Sequence, residues 1–466
     1  MGTNASSVDR GLLERYNRPG PRYTSYPTAP QFREAFTEAD LRAAIVASNG
    51  DPIPRRLSIY VHVPFCASPC FYCGCNRIIT RDKARGEVYL ARLYREIALV
   101  SKLFDRDREA IQLHFGGGTP NFLSPSQLGE CVGTLRSHFN FSDSRERDIS
   151  IEVDPRFVVP EEIAELARIG FNRASLGVQD FDPVVQAAVN RIQSVEETRA
   201  AVDACRTHGF RSVNIDLIYG LPRQTIEGFS RTLDQVLDIR PDRLAVYSYA
   251  HLPDLFRPQR QIEESDLPTA DTKLALLHLA ISRLTQAGYV YIGMDHFALP
   301  DDDLATALAR GGLHRNFMGY TTHAESDLVG LGVSAISHIG TTYSQNPRDL
   351  PSWEHALDEG RLPVFRGLHL SEDDQLRADL IQALMCQGEI PVRALERRYD
   401  IRFEDYFDAS LERMHALEAD GLVRREGDRI VATSQGRLLL RNIAMCFDAY
   451  LDKPADVARP RFSRAI

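Results

Sequence analysis

The sequence predicts an α/β fold: a partial, TIM-like (β/α)6 barrel, with an N-terminal extension and a C-terminal, mainly helical, winged-helix-like domain. Three observations carry this reading. Short β-rich apolar runs recur six times, with helix-periodic segments between them. Most of these runs are near-continuously apolar, as in parallel strands covered on both faces. Polar or glycine-rich residues collect at the C-terminal ends of the runs, where barrel enzymes place their chemistry. Six units fall short of a closed eightfold barrel, so the predicted sheet is open.

The elements follow in order. Residues 1–54 form the extension. Its start, MGTNASSVDRGLLERYN, lacks the apolar core of a secretory leader. Residues 55–366 form the barrel domain, with strands at LSIYVHV (57–63), IQLHFGGG (111–118), ISIEVDP (149–155), RASLGVQ (173–179), VNIDLIYG (213–220) and LAVYSYA (244–250). Between them, GEVYLARLYREIALVSKL and SVEETRAAVDACRTHG carry apolar residues at helical spacing. Pro- and acid-rich sequence near 300 and 350 marks the end of the barrel. Residues 367–466 form the third part. SEDDQLRADLIQALMC and PVRALERRYD read as helices, and LEADGLVRREGDRIVATSQG as a helix followed by a small β-wing. Winged helices often bind DNA, but this piece is not strongly basic, which favours a lid over the barrel mouth.

Composition narrows the class. Apolar residues make up 43%, charged residues 26%, and the net charge is −9 with both signs intermixed. That is no electrostatic footprint for nucleic acid and no polybasic membrane anchor. No apolar run reaches the roughly 18 residues a membrane span needs. The expectation is a cytoplasmic, reducing setting, where clustered cysteines are metal ligands or redox groups rather than disulfides.

Four of the eight cysteines, Cys66, Cys70, Cys73 and Cys75, lie inside YVHVPFCASPCFYCGCN, directly after the first strand. Cys131, Cys205, Cys386 and Cys446 stand alone in apolar contexts and read as small buried hydrophobes. Iron–sulfur cubanes are held by cysteine thiolates, usually four. The C-x3-C-x2-C set of Cys66, Cys70 and Cys73 could hold three irons and leave the fourth open, whereas Cys75 could equally fill it. Zinc needs four N or S ligands around one ion, commonly from two short clusters far apart in sequence. No second cluster matches this one. At the other strand ends stand Gly116 to Gly118, Glu152 with Asp154, Gln179 with Asp180, Asp216, and Tyr249 with His251. Each acid taken alone reads as a solvated strand end or a helix cap, and the glycines as a plain turn. Six consecutive functional strand ends make a stronger pattern.

The cysteine loop followed by GGGTP (116–120) resembles the radical S-adenosylmethionine enzymes. The chain is further similar, from residue 12 onwards, to oxygen-independent coproporphyrinogen III dehydrogenase. GPRYTSYPTAPQF, CGCN, HFGGGTPNFL, SIEVDPR, LGVQDF, NIDLIYGLP, YIGMDHFALP, LHRNFMGYTT, GLGVSAIS and RNIAMCFD carry that likeness, in order. CGCN and the RYTSYP segment separate it from the haem-chaperone branch of the same superfamily.

The resemblance implies that Cys66, Cys70 and Cys73 bind a [4Fe–4S] cluster whose open iron chelates S-adenosylmethionine. Two molecules of S-adenosylmethionine are implied. Tyr60, Gly117, Glu152 and Ile336 would contact the first, with Tyr60 and Glu152 the catalytic candidates. Gly118, Thr119, Gln179, Arg191, Asp216 and Ala250 would contact the second. Tyr72 would lie beside an adenine. The implied reaction is the radical-driven oxidative decarboxylation of two propionates of coproporphyrinogen III to vinyl groups. The implied partners are that substrate and a flavodoxin-type reductant, with no nucleic acid and no membrane, for a monomeric chain. Bottom-up, carboxylates such as Asp216 and Glu152 suit ribose hydroxyls or an ammonium, and Arg191 suits a carboxylate. Arg22, Tyr23 and Tyr26 suit a flat anionic macrocycle by charge and stacking, placing the strap across the active-site mouth. Met318 stands where relatives carry glutamine, so a polar contact by that side chain is in doubt.

Overall fold

The computed structural model describes residues 10–451. The part of the leader reading that rests on residues 1–9 lies outside them.

All six predicted strands form, each within two residues of its expected start: β1 (Arg56–Val63), β2 (Glu109–Gly117), β3 (Asp148–Val153), β4 (Arg173–Gln179), β5 (Ser212–Tyr219) and β6 (Arg243–Ser248). They pair in parallel in the order β6-β5-β4-β3-β2-β1. Helices such as α1 (Ala84–Ser101), α2 (Pro125–His138), α3 (Pro160–Ile169), α4 (Val195–Thr207) and α5 (Ile226–Ile239) link them. Their ends follow local chemistry. Ser124 and Ser194 close capping boxes with Gln127 and Glu197, which satisfies first-turn N–H groups. Gly170 ends α3 at φ 112°, a left-handed conformation that glycine adopts without a Cβ penalty.

One expectation is corrected in detail. Not all strand positions are buried on both faces. In β3, β4 and β5 fully buried residues alternate with half-buried ones. Apolar residues such as Ile151, Leu176 and Ile215 pack under the helices. The alternate positions, Glu152, Ser175 and Asp216, share the other face and line the barrel.

The sheet also runs further than the sequence indicated. Beyond β6 it continues through β8 (His296–Ala298) and β7 (Val290–Gly293), both antiparallel. Two strands outside this sheet, β9 (His314–Asn316) and β10 (Gly319–Thr321), form a hairpin. Beyond β1 the sheet adds a parallel strand β11 (Ser326–Leu331), then β12 (Ile336–Ile339), β13 (Thr342–Gln345) and β14 (Arg366–His369) in antiparallel array. The hairpin crosses the open side. The Tyr320 hydroxyl lies against Gly293 on β7, and the Phe317 ring meets Tyr343 on β13 edge-on at 5.9 Å.

The C-terminal part has its own apolar core, built on helix α6 (Glu372–Gln387), with a three-stranded sheet, Glu389–Pro391, Arg429–Ala432 and Val423–Glu426, as the wing. The N-terminal extension ties the two parts together. Arg33 exchanges backbone hydrogen bonds with Gly367 on β14. Tyr23 donates to Asp448 at 2.9 Å, and the Tyr26 hydroxyl accepts from the Ala449 amide at 3.0 Å. Among the described residues no helix is long and apolar enough to cross a membrane.

Glu96 on α1 anchors the β11–β12 connection. Its buried carboxylate accepts from the Gly332 amide at 2.8 Å, Asn346 Nδ2 at 2.7 Å and Trp353 Nε1 at 3.1 Å. Burial pushes its carboxyl up to about 7 against those three donors. Glu96→Ala strands the Gly332 and Trp353 donors, each costing about 1–3 kcal/mol unpaired, and leaves Asn346 Nδ2 only its bond to Gly332 O. The expected result is a thermal midpoint lowered by several degrees, read by calorimetry. An unchanged midpoint refutes this role.

Candidate functional site

The cysteine loop leaves β1 at Pro64 and is pinned on several sides. The Gly118 amide donates to Val63 O at 2.8 Å and the Thr119 amide to Phe65 O at 2.9 Å. Asn190 Nδ2 donates to Pro69 O at 2.7 Å, and Gln259 Nε2 to Tyr72 O at 2.9 Å. Cys66 and Cys70 are buried, Cys73 is half-buried and Cys75 is exposed.

Each of the three inner sulfurs has a donor or cation beside it. Thr119 Oγ1 lies 3.3 Å from Cys66 Sγ, and the Cys75 amide 3.4 Å from Cys73 Sγ. Arg191 Nη1 and Arg156 Nη2 lie 3.6 and 3.8 Å from Cys70 Sγ. The Cys75 side chain, with the charge of Arg77 and then the Cys75 amide, holds Cys73 down at about 6 against burial. Burial pushes Cys66 up to about 11, so its thiol loses its proton only to a bound metal. Arg191 Nε is buried and has no hydrogen-bond partner.

These observations fit a [4Fe–4S] cluster. A thiolate-bound cubane is anionic and is tuned by hydrogen bonds to its sulfurs, and the loop supplies three thiols, one hydroxyl, an amide and two guanidiniums. Among the described residues no three His, Cys, Asp or Glu side chains converge on one single-ion site. Thiolates that each hold a different iron need not converge, whereas a zinc site requires it.

Above the loop the glycines serve close approach. A Cβ on Gly118 would sit 2.8 Å from Pro64 C, and one on Gly117, at φ 115°, 2.5 Å from the His62 ring. The Gly117 amide donates to Glu152 Oε2 at 3.1 Å, and His114 Nε2 lies 3.4 Å from Glu152 Oε1. His62 Nε2 donates to Asn76 O at 3.0 Å, so its Nδ1 accepts from the Tyr60 hydroxyl at 3.1 Å. Tyr60 stacks on His114 at 5.9 Å and pairs in register with Gly330. Ile336 packs its backbone against Gly330, which places it one strand from Tyr60.

Two carboxylates in the barrel diverge. Burial opposes ionisation of Glu152, but His114 and the Gly117 amide outweigh it and hold the carboxyl below its ordinary value. Burial, then the charge of Glu152, pushes Asp216 up to about 6, although Asn214 Nδ2 at 2.8 Å and Ser175 Oγ at 3.1 Å donate to it. Gln179 ends β4 in a left-handed conformation at φ 73°. Its amide and the Arg191 guanidinium converge on Gly177, so β4 and the Arg191 loop face one another. Tyr72 packs in a small apolar cluster with Val189 and Tyr249, next to Ala250.

The sequence-predicted residues thus collect at one end of the barrel, with two adjustments. The carboxylate that Arg191 meets belongs to the protein: Asp154 Oδ2, at 3.1 Å and shared with Arg156 at 2.7 Å. In the strap only Arg22 points into the barrel, paired with Asp295 and 5.6 Å over the Tyr247 ring. Tyr23 and Tyr26 are buried by the C-terminal part, which takes their hydroxyls and most of their ring surface. Sequence reasoning missed His62, His114 and Arg156. His62 was signalled by its two-residue spacing from Tyr60 on one strand face. The other two owe their place to partners on neighbouring elements.

A partial barrel that holds three cysteines of this spacing against a glycine loop defines a radical S-adenosylmethionine enzyme. The model of the Radical SAM superfamily matches residues 60–236, and that of the HemN C-terminal domain residues 370–439. The chain is 52% identical over 458 residues to oxygen-independent coproporphyrinogen III oxidase of Pseudomonas aeruginosa, covering 98% of each chain. It is 47% identical to the Escherichia coli enzyme of that name over the whole of both chains. The solved structure of coproporphyrinogen III oxidase (HemN) from Escherichia coli, described as a radical SAM enzyme, superposes with a TM-score of 0.90. That match has 46% identity and covers 95% of this chain and 99% of that one. The chain belongs to the family of oxygen-independent coproporphyrinogen III oxidases.

Proposed function

We propose that this chain oxidatively decarboxylates two propionates of coproporphyrinogen III to vinyl groups, giving protoporphyrinogen IX in oxygen-independent porphyrin synthesis. The observation that carries the reading is the end-to-end likeness, 52% identity across 98% of both chains, to an enzyme of that name. When bound, the [4Fe–4S] cluster and S-adenosylmethionine would supply the 5′-deoxyadenosyl radical that takes a hydrogen from the propionate, after which loss of CO2 releases one electron to a separate one-electron acceptor.

The residues divide the remaining work. Cys66, Cys70 and Cys73 hold the cluster, and Thr119, Arg156 and Arg191 offset its negative charge. Tyr60, Gly117, Glu152 and Ile336 form a first S-adenosylmethionine site, in which Glu152, held ionised, accepts from the ammonium. Gly118, Gln179, Arg191, Asp216 and Ala250 border a second, with Tyr72 against an adenine. Arg77, Arg81, Lys83 and Arg85 lie together beside the loop and suit an acidic flavodoxin-type reductant. We assign the chain to a reducing, cytoplasmic setting from its clustered cysteines. We assign it no nucleic-acid or membrane partner from its net charge of −9 and its intermixed acids and bases; a monomer is what the family likeness suggests.

The test is anaerobic reconstitution with iron and sulfide, then coproporphyrinogen III, S-adenosylmethionine and a reductant. Protoporphyrinogen IX and 5′-deoxyadenosine should both form. A fully clustered protein that makes neither refutes the function.

Asp216 adds a pH dependence. With its carboxyl at about 6, it is an anion above that pH and loses its charge below it. An anion accepts from ribose hydroxyls and favours a cationic ligand, so affinity falls as pH drops. Between pH 7.5 and pH 5 the dissociation constant for the second molecule of S-adenosylmethionine should rise about tenfold, one pH unit of protonation. Asp216→Asn should bind weakly throughout and lose that slope. Retention of the slope in the variant would remove Asp216 from the site.

A further inference from the structure

Arg315, on the hairpin strand β9, is a buried cation that the protein leaves without a carboxylate. Its residue is 5% exposed. Its Nε is enclosed and has no hydrogen-bond partner. Its Nη1 donates to the backbone oxygen of Arg22, and its guanidinium lies 5.4 Å over the Tyr320 ring. Its neighbour Arg22 is also a cation, already paired with Asp295, and is held below its ordinary value by burial and then by Arg315. His296 meets Tyr320 edge-on at 5.1 Å and has a second enclosed nitrogen, Nδ1, without a partner. Burial, then Arg315 and Arg22, hold His296 at about 3, so it is neutral near pH 7 and supplies no negative charge.

Arg315 also lines a cavity of about 1300 Å³ that runs between the strap, the hairpin, β13 and α6 and reaches the N-terminal ends of the barrel strands at Arg56, Ile111 and Arg211. Pockets for small ligands usually measure about 300–1,000 Å³, so this one admits a larger molecule. The other cations on its wall are accounted for. Arg56 pairs with Glu109 at 3.2 Å, Arg211 with Asp303 at 2.9 Å and Arg398 with Asp379 at 3.0 Å. Arg55 and Arg310 are exposed to water. Arg315 alone on this wall is both buried and without an acid among the described residues. A buried, unpaired charge is costly to keep, and a planar guanidinium stacked on an aromatic ring is suited to bidentate capture of a carboxylate. Tyr247 leads from this cluster toward the reaction site: it meets His296 edge-on at 5.8 Å, Arg22 lies 5.6 Å over its ring, and it stands two residues along β6 from Ala245, the register partner of Asp216.

We infer that Arg315 is the counter-charge for a carboxylate of the tetrapyrrole, one of the two propionates that survive the reaction, with the macrocycle entering along this cavity. The inference rests on the proposed function and adds a specificity residue to it. Substrates lacking that carboxylate would lose the anchor, whereas the radical chemistry at the cysteine loop would not depend on it.

The test uses the reconstituted holoenzyme. Arg315→Met keeps length and removes charge. It should raise KM for coproporphyrinogen III at least about tenfold, the worth of one charge-assisted hydrogen-bonded pair. Iron content and S-adenosylmethionine affinity should stay at wild-type levels. Binding is read separately by fluorescence quenching with coproporphyrin III and with its tetramethyl ester. The wild-type protein should prefer the acid by about tenfold or more, and Arg315→Met should lose most of that preference. An unchanged KM with an unchanged acid preference overturns the anchor. So does a wild-type protein that binds acid and ester equally, a result that requires no variant to fold. Absence of wild-type turnover with the acid preference intact would count against the proposed reaction and not against Arg315.

Discussion

Cys70→Ala is expected to abolish turnover, lowering it by at least about a thousandfold, because no other group in the chain can generate the radical. Cys66→Ala and Cys73→Ala should match it. The three sulfurs differ in surroundings: Cys66 is met by Thr119, Cys70 by Arg156 and Arg191, and Cys73 by the Cys75 amide. They are alike in being enclosed and provided with donors, which suits thiolates that share an anionic cluster. Cys75 is different. It is exposed, and its contribution to Cys73 includes a backbone N–H that any residue supplies. Cys75→Ser should therefore keep iron and sulfide at wild-type stoichiometry and keep most of the activity. Iron and acid-labile sulfide assays, with the reduced-cluster electron paramagnetic resonance signal, decide the matter. Equal loss of cluster in Cys75→Ser and Cys73→Ser would overturn the division between three ligands and one bystander.

Gly118→Ala should be strongly damaging for a single added methyl group, because it strikes backbone between the two loops. The new Cβ would stand 2.8 Å from Pro64 C and 2.9 Å from Phe65 O, and these are backbone atoms that cannot swing aside. To make room, the glycine loop and the cysteine loop must part. That breaks the Gly118–Val63 and Thr119–Phe65 hydrogen bonds and withdraws Thr119 from Cys66. Overpacking of this kind costs about 1–3 kcal/mol, and displacement of first-contact groups reduces metal affinity or activity by about 10–100-fold. Gly133 in α2 is the control, since a Cβ there meets nothing within 4 Å. Gly133→Ala should stabilise by about 0.5–1 kcal/mol through the helix backbone alone. Thermal unfolding and iron content distinguish the two substitutions. Wild-type iron content and turnover in Gly118→Ala would refute the close-packing argument.

The fold was legible because its signals are local. Each barrel strand is a short apolar run before a helix-period segment, and both patterns arise within one element. The alternation inside β3 to β5 was not read from the sequence, although Ser175, Asn214 and Asp216 at every second position carry its signal. The strands after residue 250 were harder. β7, β8, β9 and β10 have only three or four residues each, and such strands are stabilised by their neighbours rather than by their own composition. The strap was legible only in part, since its tyrosines face both the cavity and the C-terminal part. Arg22, Tyr23 and Tyr26 are equally suited to a macrocycle by chemistry, but the Asp448 carboxylate and the Ala449 amide take the two tyrosine hydroxyls. No spacing in the first thirty residues points to partners more than 420 residues away.

By itself the sequence determined the six strands, the C-x3-C-x2-C spacing of the cysteines and the glycine loop, since hydrophobic period and cysteine spacing act over a few residues. Only the tertiary structure decided which charges meet. It gave Arg191 the protein's own Asp154, gave Glu152 the support of His114 and the Gly117 amide, and left Arg315 buried beside Arg22 with no acid of its own. Those outcomes depend on strand register and on which distant segments the closed chain brings within 4 Å, and in a low-dielectric interior such contacts set the charge state of each group.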